Sequence, residues 1–399
     1  MEHRLVTGIE EALKWDGPRH LGAGFARGGL GDPVLTPRLL TPTRLLDLAM
    51  RRSLASPRIR CFRDGQELHP SAYLTPETGG ADQTVGLVNT HRLGSLLREG
   101  VTMVLDRANV FDPTLEVACR ALQWWSGESV NINTYLTTNG ADGFGLHWDA
   151  HDVLAIQLSG QKDWEVRGPS RAAPLHRDAA DNDEAGEEVL WTGTMNPGDV
   201  MHIPRGYWHK AGRSGRSSGH SLHMTVGFGV RSGASWLAWL ADWSREDELF
   251  RRDLDLAPGS EQHRELVEKA VRLVGSRAPA DFLAARQQEA APARHVPFLE
   301  TFGRLESVVC VSEFRPRLRD LGGTAEVFSS GKKLTFKAAA LPALRLLLSG
   351  RPVRLDQAAA VVGDHVHALA ETLVAHEWCA PLIPELSSGY AGLVPDATA

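Results

Sequence analysis

The sequence predicts an α+β protein centred on an antiparallel β barrel, with helices ahead of it and a largely helical region behind. Three observations carry this expectation. Between residues 130 and 166 the apolar period is two, in four short runs (VNINTYLT, LHWD, DVLAIQL and KDWEV) joined by short Gly-containing links. The pattern resumes after a polar interruption in VLWTG, VMHIP and HSLHMTVGFGV. On either side of this block the spacing becomes helical, as in residues 113–125 and 235–249.

At 399 residues the chain is long enough for two or three domains. Changes of pattern divide it into 1–232, 233–303 and 304–399. A net charge of -6 provides no general attraction for nucleic acid or an anionic membrane. No apolar run approaches the roughly 20 residues of a membrane helix. The charged start, MEHRLVTGIEEALKW, lacks the apolar core of a secretion signal. Cys61, Cys119, Cys310 and Cys379 form no C-x-x-C pair and read as reduced core thiols, so the expected compartment is the cytoplasm.

In chain order, residues 22–31 are Gly-rich and read as a loop. Residues 39–54 show helical spacing, with Thr41 or Thr43 as N-cap. Residues 59–62 read as a strand closed by an Asp64-Gly65 turn, 91–99 as a helix, 101–105 as a strand and 113–125 as an amphipathic helix. The barrel follows, with Ser159-Gly160-Gln161 as a tight turn between a strand and its returning partner. Residues 167–188 are polar and acidic, and read either as a solvated loop or as a rim attracting a basic protein.

The chemistry lies in residues 145–166. In a strand, residues two apart share a face, so His147 and Asp149 of His-x-Asp can point the same way. His209, in PGDVMHIPRGYWH, is the best third partner. Two imidazoles and one carboxylate on one side of an ion leave the other positions open, the arrangement of non-haem Fe(II) oxygenases. His151, His202, His220 and His223 read as structural histidines, and Trp148, Trp164 and Trp208 as wall packing.

The motifs N-x-Y-L-T from Asn133, H-x-D, Q-L-x-G-x-K-x-W, P-G-D-x-x-x-x-P-R-G-x-x-H and H-S-x-H-x-T together resemble a JmjC-type cupin, a double-stranded β-helix barrel. Within that superfamily they are most similar to the ribosomal oxygenases. The resemblance implies an Fe(II)- and 2-oxoglutarate-dependent dioxygenase. With O2 it would hydroxylate a His or Arg of a basic ribosomal protein while 2-oxoglutarate goes to succinate and CO2. It assigns the iron to His147, Asp149 and His209, and the distal carboxylate of 2-oxoglutarate to Lys162. Asn133, Tyr135 and Thr225 match positions lining the same pocket. Trp148 departs from the Tyr that often fills the middle of His-x-Asp, at a position facing away from the metal.

Residues 235–249 and 260–274 read as amphipathic helices separated by Pro258-Gly259. Their apolar faces either cover the barrel or form a homodimer, and the resemblance implies a helical dimerisation region here. Residues 336–348, 355–362 and 364–376 read as helices of a winged-helix-like unit, and the chain from Ser387 as a loose tail. The third helix has no Lys/Arg stripe, which favours protein contact over direct nucleic-acid binding. Other readings remain: an oxygenase acting on a biosynthetic peptide, a small molecule or methyl-lysine, or a non-catalytic cupin sensor with a DNA-binding winged helix.

Overall fold

The computed structural model describes residues 1–395 apart from 53, 79–83, 142, 176–183, 213–218, 290–293 and 300. The elements used below are, in chain order, α1 (Arg4–Leu13), β1 (Ala26–Gly29), α2 (Pro42–Arg51), β2 (Ile59–Arg63), β3 (Gln66–Glu67), α3 (Thr90–Glu99), β4 (Thr102–Leu105) and α4 (Pro113–Ser126). The barrel strands are β5 (Val130–Thr138), β6 (Asp152–Gly160), β7 (Lys162–Pro169), β8 (Val189–Met195), β9 (Asp199–Ile203), β10 (Tyr207–Gly212) and β11 (His220–Phe228). They form two facing antiparallel sheets. The larger runs β1-β9-β6-β11-β5-β4-β2-β3 and the smaller β8-β7-β10.

The expected hairpin at Ser159-Gly160-Gln161 is a corner instead. β6 pairs with β9 and β11, whereas β7 pairs with β8 and β10, so the turn carries the chain from one sheet to the other. The burial patterns explain why. Val153 to Leu158 are all buried, as befits a central strand covered on both faces, whereas β7 alternates, burying Lys162, Trp164 and Val166 on one face. Gly160 has φ 64°, and a Cβ there would collide with the His220 carbonyl.

Two further departures concern short segments. LHWD is not a strand; its one ladder contact is an isolated bridge from His147 to His209. Part of the 22–31 loop is the edge strand β1, paired with β9. Its Gly28 allows the backbone of α1 to approach, because a Cβ there would strike the Ala12 carbonyl. Close backbone packing therefore sets the composition that resembles a loop. Local capping follows simpler rules: Thr41 accepts from the Arg44 N–H at 3.2 Å, and Asp112 caps α4 with bonds of 2.8 and 3.0 Å. Asp64 and Gly65, both at positive φ, turn β2 into β3.

Behind the barrel the expected helix over 235–249 is interrupted. α5 (Gly233–Ser244) stops, and Asp247 caps a separate turn at Glu248–Arg251. α6 (Glu261–Ser276) and α7 (Pro279–Arg286) follow. Leu240 and Phe282 are buried between them, and Arg277 stacks on Trp243 at 3.4 Å. The last unit contains β12 (Ser307–Cys310), a meander over Arg317–Asp320, Thr324–Ser329 and Lys332–Lys337, then α8 (Leu341–Leu347), β13 (Val353–Arg354), α9 (Leu355–Val362), α10 (His365–Ala375) and β14 (Cys379–Pro381). The helix expected from residue 336 starts later because 332–337 completes the meander.

The expected loose tail is largely α11 (Pro384–Tyr390), docked on α4. Tyr390, Leu393 and Val394 are buried, and Tyr390 accepts a 2.6 Å hydrogen bond from Arg120. Residues 396–399 lie outside the described part. So do 176–183, which carry much of the acidic segment. Among the described residues no helix is long and apolar enough to cross a membrane.

One cap has a pH signature. His3 accepts the Leu5 N–H through Nδ1 at 3.1 Å, and burial, then Arg38 and the N-terminus, hold its pKa down at about 3 from 6.5. The unfolded chain binds the extra proton between those values, so stability falls as pH drops through this window. Between pH 6.5 and 5 the loss should approach about 2 kcal/mol. His3→Asn keeps a capping acceptor without the titration, so its urea midpoint should change less over the same range.

Candidate metal centre

His147 and His209 are brought together by the backbone before their side chains are considered. The His147 N–H donates to the His209 carbonyl at 3.0 Å, and the His209 N–H returns the bond at 2.7 Å. The Gly206 N–H adds a 3.0 Å bond to the Asp149 carbonyl, tying the Pro204-Arg205-Gly206 turn to the same segment. The imidazole centroids are 4.3 Å apart, and His209 Nε2 lies 3.6 Å from Asp149 Oδ2.

Both rings present the same nitrogen. His147 Nδ1 is 2.7 Å from the Gly145 carbonyl and His209 Nδ1 is 3.1 Å from that of Tyr207. A carbonyl can only accept, so each Nδ1 carries the proton and each Nε2 keeps its lone pair for a ligand. Burial, reinforced by His147 and opposed by Asp149, brings the His209 pKa down to about 4, so this imidazole is neutral at physiological pH. One ligand atom from each of His147, Asp149 and His209 lies within 4.8 Å of the others. Two neutral imidazoles and a carboxylate suit a divalent first-row metal.

Behind this trio the barrel interior is polar. Lys162, the first residue of β7, is 1% exposed, and its Nζ donates to Thr137 Oγ1 at 2.8 Å. Asn133, Tyr135 and Thr137 alternate along one face of β5, opposite Thr225, His223 and Ser221 of β11. Tyr135 stacks flat on His223, with centroids 4.7 Å apart. Burial pushes its phenol up to about 12 against hydrogen bonds with Thr225 and Asn133. His223 is held well below its ordinary value by burial and then by the Lys162 charge. Trp164 meets His223 edge-on at 5.3 Å. Among the described residues, Trp164 Nε1 and His223 Nδ1 are buried without a hydrogen-bond partner.

All seven residues singled out from the sequence thus lie in one barrel, in two groups: His147, Asp149 and His209, then Lys162 with Asn133, Tyr135 and Thr225. Thr137 and Phe144 join them unannounced, and His223, expected as a structural histidine, lies in the second group against Tyr135. Thr137 was readable as the next same-face residue after Asn133 and Tyr135. Phe144, within 6.0 Å of the His147 ring and 5.9 Å of Tyr135, lies outside any strand and leaves no periodic signal. His202 and His220 have structural partners, Gly24 and Ser159, both at 2.8 Å. Trp208 packs in the wall, its Nε1 donating to Ser170 at 2.8 Å.

Residues 109–235 match the JmjC domain. A protein of Caenorhabditis briggsae named bifunctional lysine-specific demethylase and histidyl-hydroxylase NO66 is 40% identical over 124 residues, covering 30% of this chain and 16% of that protein. Human ribosomal oxygenase 1 is 32% identical over 136 residues, 33% of this chain and 21% of that one. The chain therefore aligns with less than a quarter of either relative. Among solved structures, Escherichia coli ribosomal oxygenase YcfD superposes with a TM-score of 0.53 at 17% identity, covering 95% of this chain and 99% of that one. A structure of YcfD with cobalt and 2-oxoglutarate gives 0.52 at 19% identity, over 90% and 95%. Residues 109–235 are thus similar to JmjC domains, and the chain has the fold of YcfD and resembles the ribosomal oxygenases.

The geometry predicts one divalent ion per chain. Anaerobic Fe(II) or Co(II) titration should reach that ratio in the parent, and Asp149→Ala, lacking the anionic ligand, should lose it. Full-strength binding by the variant would show that the ion sits elsewhere.

Proposed function

We propose that the chain is an Fe(II)- and 2-oxoglutarate-dependent dioxygenase that hydroxylates a protein side chain. The observation that carries this reading is that the three-ligand cluster and a buried ammonium, Lys162, belong to one barrel. Bound there, Fe(II) with 2-oxoglutarate and O2 supplies oxidising power for an unactivated C–H bond, with succinate and CO2 as coproducts. The chain's own residues bind, orient and shield. His147 and His209 offer Nε2 because their Nδ1 protons are tied to backbone carbonyls, and Asp149 supplies the negative charge. Lys162, steadied by Thr137, is the counter-charge for the distal carboxylate of 2-oxoglutarate. Tyr135 stays protonated and can donate, while the buried Trp164 Nε1 gains an acceptor when an anion enters. Asn133 and Thr225 fix the phenol from the other side. Phe144 meets His147 and Tyr135, and Trp164 meets His209 and His223, so both rings offer apolar surface beside the two groups.

Truncating one member of a buried charge pair costs about 3–5 kcal/mol. Lys162→Ala should therefore weaken 2-oxoglutarate binding on the order of a hundredfold or more while leaving Fe(II) binding intact. Lys162→Arg should be milder, because the charge is kept. Unchanged affinity in Lys162→Ala would show that Lys162 is not the counter-charge and would take away the second anchor of the oxygenase reading.

The favoured substrate is a His or Arg of a basic ribosomal protein. The names of the relatives and the net charge of -6 support it. The demethylase part of one relative's name keeps methyl-lysine as the second reading. Ribosomal proteins from a strain lacking this chain should each be weighed intact. Loss of one oxygen atom from a single protein, restored by the parent but not by Asp149→Ala, is the expected result.

The units 1–232, 233–303 and 304–399 then act as catalytic domain, homodimer contact and winged-helix-like domain. Val267, Val271 and Val274 on one side of α6 are 65%, 66% and 45% exposed, an apolar stripe that a second copy would cover. Sedimentation should give a dimer at micromolar concentration, and Val267→Glu with Val271→Glu should give a monomer. α10 carries no Lys or Arg, so protein contact fits the last domain better than DNA. Four free thiols fit a reducing cytoplasm.

A further inference from the structure

The four cysteines are buried and unbonded, yet two of them face each other. Cys310 on β12 and Cys379 on β14 are direct partners in the antiparallel register. Neighbouring positions carry the ladder bonds: the Val311 N–H donates to the Trp378 carbonyl and the Leu382 N–H to that of Ser307, both at 2.9 Å. Hydrogen-bonded and non-hydrogen-bonded pairs alternate along such a ladder, which puts Cys310 and Cys379 at a non-hydrogen-bonded pair. There the Cα atoms lie about 4.5 Å apart and side chains approach most closely. That separation falls within the ~4.4–6.8 Å range a disulfide spans.

Cys310 is wholly buried, and its partner Cys379 borders a cavity. A cavity of about 400 Å³ between α4 and the last unit is lined by Cys379 together with Arg120, Arg294, Lys332 and His376. A molecule the size of hydrogen peroxide fits it, whereas a folded protein oxidant does not. Burial by itself would raise the Cys310 thiol. Hydrogen bonds from Cys379 and Ser312, with the Arg120 charge, outweigh it and leave Cys310 below its ordinary value. Cys379 is held well above, by its hydrogen bond with Cys310, by burial and by the charge of Cys310. Cys61 and Cys119 are instead pushed up to about 12 by burial. Thiolate character favours oxidation, so the four thiols are not equivalent.

We propose that Cys310 and Cys379 are a reversible redox pair, oxidised by hydrogen peroxide to a disulfide that clasps β12 to β14. The peroxide O–O bond breaks as one sulfur becomes a sulfenic acid and water leaves. The other sulfur then attacks that sulfur, the S–S bond forms and a second water departs. Two thiols give up two electrons and two protons, and one peroxide takes them to yield two waters. A small dithiol reductant reverses the change by exchange. The clasp tethers the two ends of a segment containing the meander, α8, α9 and α10, without touching the barrel. The proposal is independent of the oxygenase reading.

The reduced full-length chain is treated with hydrogen peroxide at a dose that fully oxidises a dithiol standard, then alkylated in denaturant and mapped by mass spectrometry. The expected result is a fall from four alkylated cysteines to two, Cys61 and Cys119. A Cys310–Cys379 linked peptide should appear and vanish with dithiothreitol. The oxidised chain should also unfold at higher denaturant than the reduced one, because the cross-link restricts the unfolded state. Cys310→Ser should show neither the linked peptide nor the peroxide-induced shift. Recovery of both cysteines as alkylated thiols overturns the proposal, as does a sulfinic acid at Cys379 without linkage, or a link to Cys61 or Cys119. The linkage map of the parent decides the matter even where the variant fails to fold.

Discussion

The site depends on a pair of reciprocal backbone hydrogen bonds between His147 and His209. They join two segments that are far apart in sequence and belong to no common strand. Side-chain packing alone would leave the His147 segment, which lies outside any strand, free to drift by an ångström or more relative to His209 on β10, enough to spoil a three-ligand site. The bridge fixes their Cα positions, and the Gly145 and Tyr207 carbonyls fix the ring orientations. Asp149 is placed by the same segment and held by the Gly206 N–H. The Pro-Arg-Gly turn therefore matters to the centre although none of its side chains enters it: Gly206 sits at φ 84°, where other residues are strained.

The second constraint is charge in a low-dielectric interior. Lys162 brings a positive charge into the barrel, and the groups around it adjust. His223 is driven neutral partly by Lys162, and Tyr135 is kept protonated mainly by burial. His209 is neutral for its own reason, burial beside His147. A buried ammonium attracts an anion, whereas a ring of protonated histidines would have repelled the metal on the other side. The same burial that makes Lys162 costly by itself makes it selective when paired.

Much of this was legible because both signals are local. A period of two places Asn133, Tyr135 and Thr137 on one face whatever the rest of the fold does, and His-x-Asp brings two ligands into one short segment. What could not be read is partner choice. The chain at Gly160 has the composition of a hairpin turn, and only competition among all strands decides that β6 and β7 enter different sheets. LHWD brings His147 and Asp149 to the same cluster without being a strand, so the expected grouping arises from a different local geometry. β1 and α11 were missed for a shared reason. Gly28 and Gly389 look like loop residues, yet each is small so that another backbone can pass, at Ala12 and at Pro113. Composition reports flexibility and close approach with the same letter.

That second close approach makes α4 the mechanical link of the molecule. Its capping residue Asp112 is paired with Arg44 of α2 at 2.7 Å, and α11 docks along its side. Arg120 reaches both Glu116 and Tyr390, and His295 meets Glu116 at 2.8 Å. Gln123 bonds Glu313 at 2.9 Å, and Trp124 donates to the Ser312 carbonyl at 3.0 Å, two residues beyond Cys310. At its other end α4 closes on Gly127 and leads into β5, the strand carrying Asn133, Tyr135 and Thr137. A single helix thus has the last unit on one flank and the polar wall of the barrel at its exit. The contacts of α4 join β12 and α11 to the start of the barrel, so the last unit and the polar wall share one packed support.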